Sequence, residues 1–170
     1  CRLFGFRSVI KSQVHRSLVH AENALEVQSQ FHPHGWGVSY YFEGVPHVIK
    51  SERSAIEDNL FKKVSGIVSS ETVLAHVRNA TMGEVNILNT HPFQFGAWTF
   101  AHNGNIKDFE QFRSLILARI HPLFQRFILG NTDSEIIFYF LLTKMSENVD
   151  IIGTHLKIED IAPSIRKAVD

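Results

Sequence analysis

The sequence predicts an α+β fold in layers, and three observations carry that prediction. Strand-type and helix-type segments arrive in blocks rather than in strict alternation, which argues against a parallel βαβ sheet. The run Trp36 to Phe42, separated by Glu43-Gly44 from Val45 to Ile49, reads as a β-hairpin of aromatic and β-branched residues. The chain has 170 residues, 44% of them hydrophobic and 14 of them Phe, which is enough apolar side chain for the core of one domain over residues 1–170.

Taken in order, Arg2, Phe4 and Phe6 alternate with their neighbours and predict a strand with Cys1 at its leading end. Leu18, Ala21, Leu25 and Gln28 then fall on successive turns of a helix from about Ser17 to Gln30. Phe31-His32-Pro33-His34-Gly35 breaks it before the hairpin. Ser54 and Glu57 have the spacing of a capping box, followed by Ile56, Leu60, Phe61 and Val64 on one face of a short helix that Gly66 ends. Thr72 to His76 and Ala97 to Ala101 read as strands that run into Val77-Arg78-Asn79 and His102-Asn103-Gly104-Asn105. The stretch 81–95 between them has loop composition.

A helix from about Lys107 to Ile120 carries Phe109, Phe112, Leu115, Ile116 and Ile120 on its predicted inner face, and Pro122 interrupts it. Thr132 and Glu135 form a second capping box, so a helix starts at Asp133, and the run Ile136 to Leu142 marks it for deep burial. Ile158, Ile161, Ile165 and Val169 place a last helix at the end of the chain.

Seventeen basic and seventeen acidic side chains cancel, which excludes the electrostatic footprint of a nucleic-acid or anionic-membrane binder. No run reaches the ~18 apolar residues of a spanning helix and no leader precedes Cys1, so a cytoplasmic protein is expected. With a single cysteine there is no intramolecular disulfide. That cysteine is residue 1, and a chain beginning there is read either as one that has lost its initiator, leaving a free α-amine beside the thiol, or as a cut tag or leader.

Amide hydrolysis through a covalent intermediate needs a nucleophile, a base, oxyanion donors and groups that hold the substrate in register. Cys1 offers the thiol and, in its own α-amine, a base with a reference pKa of ~8. Asn103-Gly104 can present a side-chain and a backbone N–H to one oxygen, or can be an ordinary Asn-Gly turn. Arg78, at a strand end, fits a carboxylate clamp or a structural salt bridge. Asp133, in the first turn of its helix, fits an ammonium ligand or simple stabilisation of the helix end.

These pieces, together with His34-Gly35-Trp36-Gly37-Val38, His76-Val77-Arg78, Asn89-Thr90-His91-Pro92-Phe93, Ala101-His102-Asn103-Gly104 and Thr132-Asp133-Ser134-Glu135, stand in one order over about Cys1 to Lys144. In that order they resemble the glutaminase domain of class II glutamine amidotransferases, members of the N-terminal-nucleophile hydrolases. The resemblance implies a four-layer α/β/β/α sandwich of two antiparallel sheets. Family domains continue into further strands, whereas this chain ends in a predicted helix at Asp170, so the sandwich is expected to lack its last strands. By resemblance Cys1 attacks the γ-amide carbon, and Asn103 and Gly104 form the oxyanion hole beside His102. Arg78 binds the α-carboxylate, Asp133 binds the α-amino group, and Gly37 with His91, Pro92 and Phe93 lines the pocket. The Asn-Thr-His-Pro-Phe form is closest to small stand-alone members, γ-glutamyl hydrolases among them.

Three functions follow as expectations. One is release of ammonia from glutamine for a synthase partner, the second is hydrolysis of a γ-glutamyl amide or peptide, and the third is a non-catalytic module that binds glutamine. No cofactor is implied, and the oligomeric state, a homo-oligomer included, is left open. Ten histidines, with His32, His34, His76, His91 and His102 among them, raise a metal reading. It is set aside because no Cys pair, His-Glu-x-x-His or i, i+4 histidine pair accompanies them. His15 and His20 are read as surface or pocket-rim residues. Trp36, Tyr40, Tyr41 and Phe42 are read as core packing rather than a ligand-stacking stripe.

Overall fold

A computed structural model describes residues 1–153 and 156–169, and its contacts gather into two compact units, Cys1–Gly104 and Asn105–Asp170. In the first unit, strands β1 (Arg2–Gln13), β2 (Trp36–Phe42), β3 (Val45–Ser51) and β4 (Ser69–Val77) form an antiparallel sheet in the order β1-β4-β2-β3. Strands β5 (Phe93–Phe95) and β6 (Trp98–Phe100) form a second, two-stranded antiparallel sheet. The β2–β3 turn uses positive φ at both Glu43 and Gly44, the backbone that a two-residue hairpin matched to strand twist requires.

Strand alternation sends Trp36, Val38 and Tyr40 of β2, Val73, Ala75 and Val77 of β4, and Phe4 and Phe6 of β1 into one core. Phe61 and Val64 cover it from helix α2 (Asn59–Ile67). Trp36 and Phe61 meet edge to face, with ring centroids 5.1 Å apart. Trp36 and Tyr40 therefore pack with the core as the sequence suggested, whereas Phe42 is exposed and Tyr41 turns its hydroxyl to Ala97 O and Thr99 Oγ1 on the opposite face of the strand.

The single helix expected over 17–30 is two pieces: a π-helical turn over Arg16–His20 and helix α1 (Leu25–Gln28). Ala21 N–H closes the turn onto Arg16 O at 2.9 Å, and extended backbone at Ala21 and Ala24 breaks the run. Leu18, Ala24 and Leu25 are all buried by this arrangement. The capping box expected at Ser54 is also displaced. Ser54 Oγ donates to Ser29, and Asp58 caps α2 by accepting from Leu60 N–H at 3.0 Å. The helix runs one residue past Gly66.

The second unit holds helices α3 (Phe109–Ala118), α4 (Pro122–Gln125), α5 (Asp133–Ser146) and α6 (Ile158–Val169). On α3, Phe109 and Ile120, just past its end, are buried, but Phe112 and Leu115 are 47% and 53% exposed. At 100° per residue Phe109, Ile116 and Ile120 align, while Phe112 and Leu115 lie roughly 60° and 120° off that line. Helix α4, unforeseen, starts on Pro122 with His121 Nδ1 accepting Leu123 N–H at 3.2 Å. Helix α5 is capped by Thr132 and buries Ile136, Phe138, Tyr139, Leu142 and Met145. On α6 Ile161 is buried and Ile158 exposed, and the side chain of Val169 lies outside the described residues. Among the described residues no helix is long and apolar enough to cross a membrane.

Candidate active site

Strand register gathers Cys1, Gly37 and Arg78 at one end of the large sheet. Arg2 and Trp36 both pair with Val77, so Cys1, Gly35 and Arg78 are the next residues on three adjacent strands. The ladder continues past the strands, with Arg78 N–H on Gly35 O at 2.8 Å and His34 N–H on Arg78 O at 3.1 Å. Buried Trp36 anchors this end by donating its indole N–H to Asp58 at 3.1 Å.

The Cys1 thiol sits against the backbone of Asn79. Asn79 N–H donates to Sγ at 3.3 Å, and Sγ lies 3.5 Å from Asn79 O. A donor aimed at sulfur favours the thiolate. The α-amine is pushed below its ordinary 8.0 by burial and then by the charge of Arg2, so more of it is free to accept a proton near neutrality. Its recorded polar neighbour is His32 Nδ1 at 3.4 Å. His34 holds the same segment from the other side, its Nδ1 accepting Ala80 N–H at 3.0 Å.

Arg78 is buried, and burial lowers its pKa. Its guanidinium donates to Glu84 O at 2.8 Å, Met82 O at 2.7 Å and Gly83 O at 3.4 Å, closing the turn that follows β4. Asn89 donates its side-chain amide to the same Glu84 carbonyl at 3.1 Å, and Thr90 Oγ1 donates to Asn86 O at 2.9 Å. Of the stretch 81–95 that composition marked as loop, Phe93–Phe95 is instead β5, and the irregular part is tied over residues 82–90 by these bonds.

The end of that loop lies on bare glycine. A Cβ at Gly37 would stand 2.0 Å from His91 O and 2.9 Å from Pro92 Cδ, and one at Gly35 would stand 2.9 Å from Thr90 Oγ1. Gly37, His91 and Pro92, which the sequence assigned to one pocket, are therefore in contact, and Phe93 follows edge-on to His91 with centroids 4.7 Å apart. Gly37 also pairs with His76 across the sheet. The His76 and His91 rings lie 4.4 Å apart, both buried, and none of their four nitrogens has a hydrogen-bond partner among the described residues. Burial, then the nearby positive charges of the α-amine, Arg78, His102 and His32, push His76 down to about 3. His91 moves the same way, through burial and then His76.

His102 acts electrostatically on both of these rings, which brings the segment after β6 to the same neighbourhood. Residues 101–106 form no turn, so Asn103-Gly104 is not the hairpin that the dipeptide alone would suggest. Both residues are exposed, and the His102 ring covers the Gly104 Cα, where a Cβ would meet Nε2 at 2.7 Å.

Asp133 belongs to the second unit and is buried at the start of α5. One carboxylate oxygen accepts Ile106 N–H at 2.7 Å and the other accepts Ser134 N–H at 2.7 Å, which ties the segment entering α3 to the first turn of α5. Glu135 accepts from Leu129 and Gly130 N–H at 3.0 and 2.7 Å. Among the described residues no three His, Cys, Asp or Glu side chains group closely enough to hold a metal.

Sequence reasoning did not place His32 and Asn79 beside Cys1, or His34 beside Ala80. The His32-x-His34 spacing was visible, but its meaning depends on which strands lie side by side.

The family profile of class-II glutamine amidotransferases matches residues 1–169. The chain is 32% identical over 132 residues to a Saccharomyces cerevisiae protein named "Probable glutamine amidotransferase DUG3", covering 74% of this chain and 36% of that one. It is 37% identical over 71 residues to the γ-glutamyl-hercynylcysteine sulfoxide hydrolase of Mycobacterium tuberculosis, covering 41% and 30%. Among solved structures, a glutamine aminotransferase class-II domain protein from Silicibacter pomeroyi superposes with a TM-score of 0.69 at 23% identity, over 99% of this chain and 62% of that one. The chain spans roughly two-fifths of the length of the curated relatives it matches. The two antiparallel sheets with their helices are thus the N-terminal-nucleophile fold of these neighbours, and the chain belongs to the class-II glutamine amidotransferases.

Proposed function

We propose that the chain is a cysteine-nucleophile amidohydrolase that cleaves the γ-amide of glutamine and releases ammonia. The observation that carries the reading is the setting of Cys1, with a backbone N–H on its sulfur and an α-amine that burial leaves less protonated near neutrality. In the first step Sγ bonds to the amide carbon as its proton passes to the α-amine, and the carbonyl π pair moves onto oxygen. The side-chain N–H of Asn103 and the backbone N–H of Gly104 hold that oxyanion, each such donor being worth ~10²–10³ in rate. The amine returns the proton to the leaving nitrogen, the C–N bond breaks and ammonia departs. Water then cleaves the resulting thioester.

Substrate register is assigned to Arg78 for the α-carboxylate and Asp133 for the α-ammonium, with Gly37, His91, Pro92, Phe93 and His102 shaping the pocket. Arg78 retains N–H donors beyond those it gives to carbonyls 82–84, and a carboxylate is the stronger acceptor. The ammonia acceptor, a synthase, lies outside these 170 residues.

A second reading keeps the site and exchanges ammonia for a larger leaving group, as in a γ-glutamyl amide or peptide. The likeness to the mycobacterial γ-glutamyl hydrolase favours it. Comparing kcat/KM for free glutamine and a γ-glutamyl dipeptide at equal concentration separates the two. In a sample shown by mass spectrometry to begin at Cys1, Cys1→Ala and a one-residue extension before Cys1 each abolish turnover of both substrates while the fold is kept. Activity surviving either change removes the mechanism. Calorimetric binding of glutamine without turnover by the unaltered chain supports a non-catalytic module instead.

A further inference from the structure

We propose that His32 is a positioning residue for the α-amine of Cys1, accepting one of its N–H bonds at Nδ1 and so fixing the direction in which the amine faces the thiol. The inference rests on the amidohydrolase reading above and deepens it. An α-amine rotates about a single bond to Cα, so nothing covalent aims its lone pair at Sγ. Sulfur is itself held by Asn79, and the carbonyl of Cys1 by the Arg2 guanidinium at 2.8 Å. The amine has its recorded hydrogen bond with His32 Nδ1, 31 residues away in sequence, at 3.4 Å. That is longer than the usual range of about 2.7–3.2 Å, and hydrogen bonds of catalytic groups are often long in the absence of substrate.

Chemistry supplies the second half of the argument. Only a neutral imidazole can accept at Nδ1, whereas a protonated one donates from both nitrogens and repels the ammonium. Burial, the α-amine and Arg2 all push the His32 proton off, in that order of weight. The groups acting on this corner are Arg2 from β1, His32 from the loop before β2, His76 and Arg78 from β4 and its end, and His102 after β6. None is a carboxylate, so the neutral form is the one the surroundings favour. His32 is half-buried, and no proton of the reaction is routed through it.

The test is the pH dependence of two readouts in the full chain beginning at Cys1. One is kcat/KM for amide hydrolysis, and the other is the rate of Cys1 alkylation by iodoacetamide, which needs no substrate. The variants are His32→Ala, which deletes the acceptor, and His32→Asn, whose side-chain oxygen stands where Nδ1 stands but does not titrate. The unaltered chain loses log(kcat/KM) with a limiting acid slope of two, one unit each for the amine and His32. His32→Ala lowers the plateau about tenfold or more, since small misplacements of a reacting group cost that much. His32→Asn recovers most of that loss and shows a slope of one. The alkylation profiles of the three proteins follow the same order.

Plateaus and slopes that match the unaltered chain in both variants overturn the proposal. So does an equal loss in Ala and Asn with the slope still two, which marks His32 as a packing residue. Alkylation that follows the expected pattern without amidase activity on either substrate class leaves His32 standing and removes the reaction. Amidase activity indifferent to His32 does the reverse.

Discussion

Acid should unfold the first unit by a route traceable to His76. The ring is 0% exposed, its pKa is pushed to about 3 by burial and surrounding positive charge, and neither nitrogen has a hydrogen-bond partner among the described residues. An unfolded histidine takes up a proton near pH 6.5, so above that pH neither state binds it and the group adds no pH dependence. As pH falls below ~6.5 the unfolded chain gains a proton that the folded chain refuses until about pH 3. Stability therefore declines across that window. For this one group the loss is about 1.3 kcal/mol between pH 5.5 and pH 4.5, approaching 1.36 kcal/mol per unit. His91, pushed down as well, adds in the same sense. Urea unfolding at half-unit intervals from pH 4.5 to 7.5 measures the slope, and His76→Leu isolates the group. The variant removes the proton uptake and two unpartnered buried nitrogens, so its slope should be shallower by about 1.3 kcal/mol per unit, with little stability lost at pH 7. Equal slopes in the two proteins would refute the reasoning.

Two further outcomes follow from the geometry. Gly37→Ala places a methyl 2.0 Å from His91 O, a backbone atom that cannot swing aside, so the chain should lose about 3 kcal/mol or more in a urea melt at pH 7. A variant as stable as the parent would mean that the 90–93 segment does not lie on β2. Asn103→Ala should cut kcat by ~10²–10³ with KM nearly unchanged, because the lost donor acts on the oxyanion rather than on the bound substrate. An effect confined to KM would move Asn103 from the transition state to ground-state binding.

What was legible in the sequence was whatever local chemistry decides. Glu43-Gly44 between two apolar strands admits few backbones, and Thr132 followed by a long apolar run fixes both the start and the burial of α5. The helix expected over 17–30 failed for a nonlocal reason. Its apolar spacing is sound, but Leu18, Ala24 and Leu25 all reach the core only if the backbone is extended at Ala21 and Ala24. Capping at Ser54 failed because Ser29, 25 residues earlier, claims its hydroxyl. The candidate site divides in the same way. Cys1, Arg78, Asn103, Gly104 and Asp133 carry chemistry in their residue type and position. The roles of His32 and Asn79 depend on β1 lying beside β4, and β4 beside β2, an order that no periodicity reveals.

That strand order also decides which residues meet at the candidate site. With β4 between β1 and β2, the residue before β1, the residue before β2 and the residue after β4 are forced side by side, so Cys1 and Arg78 are set by sheet register rather than by flexible loops. The same packing needs the 90–92 segment to press on Gly35 and Gly37, and it leaves His76 and His91 buried with no hydrogen-bond partner among the described residues. A buried, positively surrounded pair of rings without hydrogen-bond partners among the described residues is a poor contributor to stability. Burial where Gly37 and His76 meet lowers the local dielectric, which strengthens the bond that Asn79 N–H makes to sulfur. The acid lability of His76 is the thermodynamic counterpart of that burial. A chain in which wetter, hydrogen-bonded side chains replaced both rings should gain acid stability and lose turnover together.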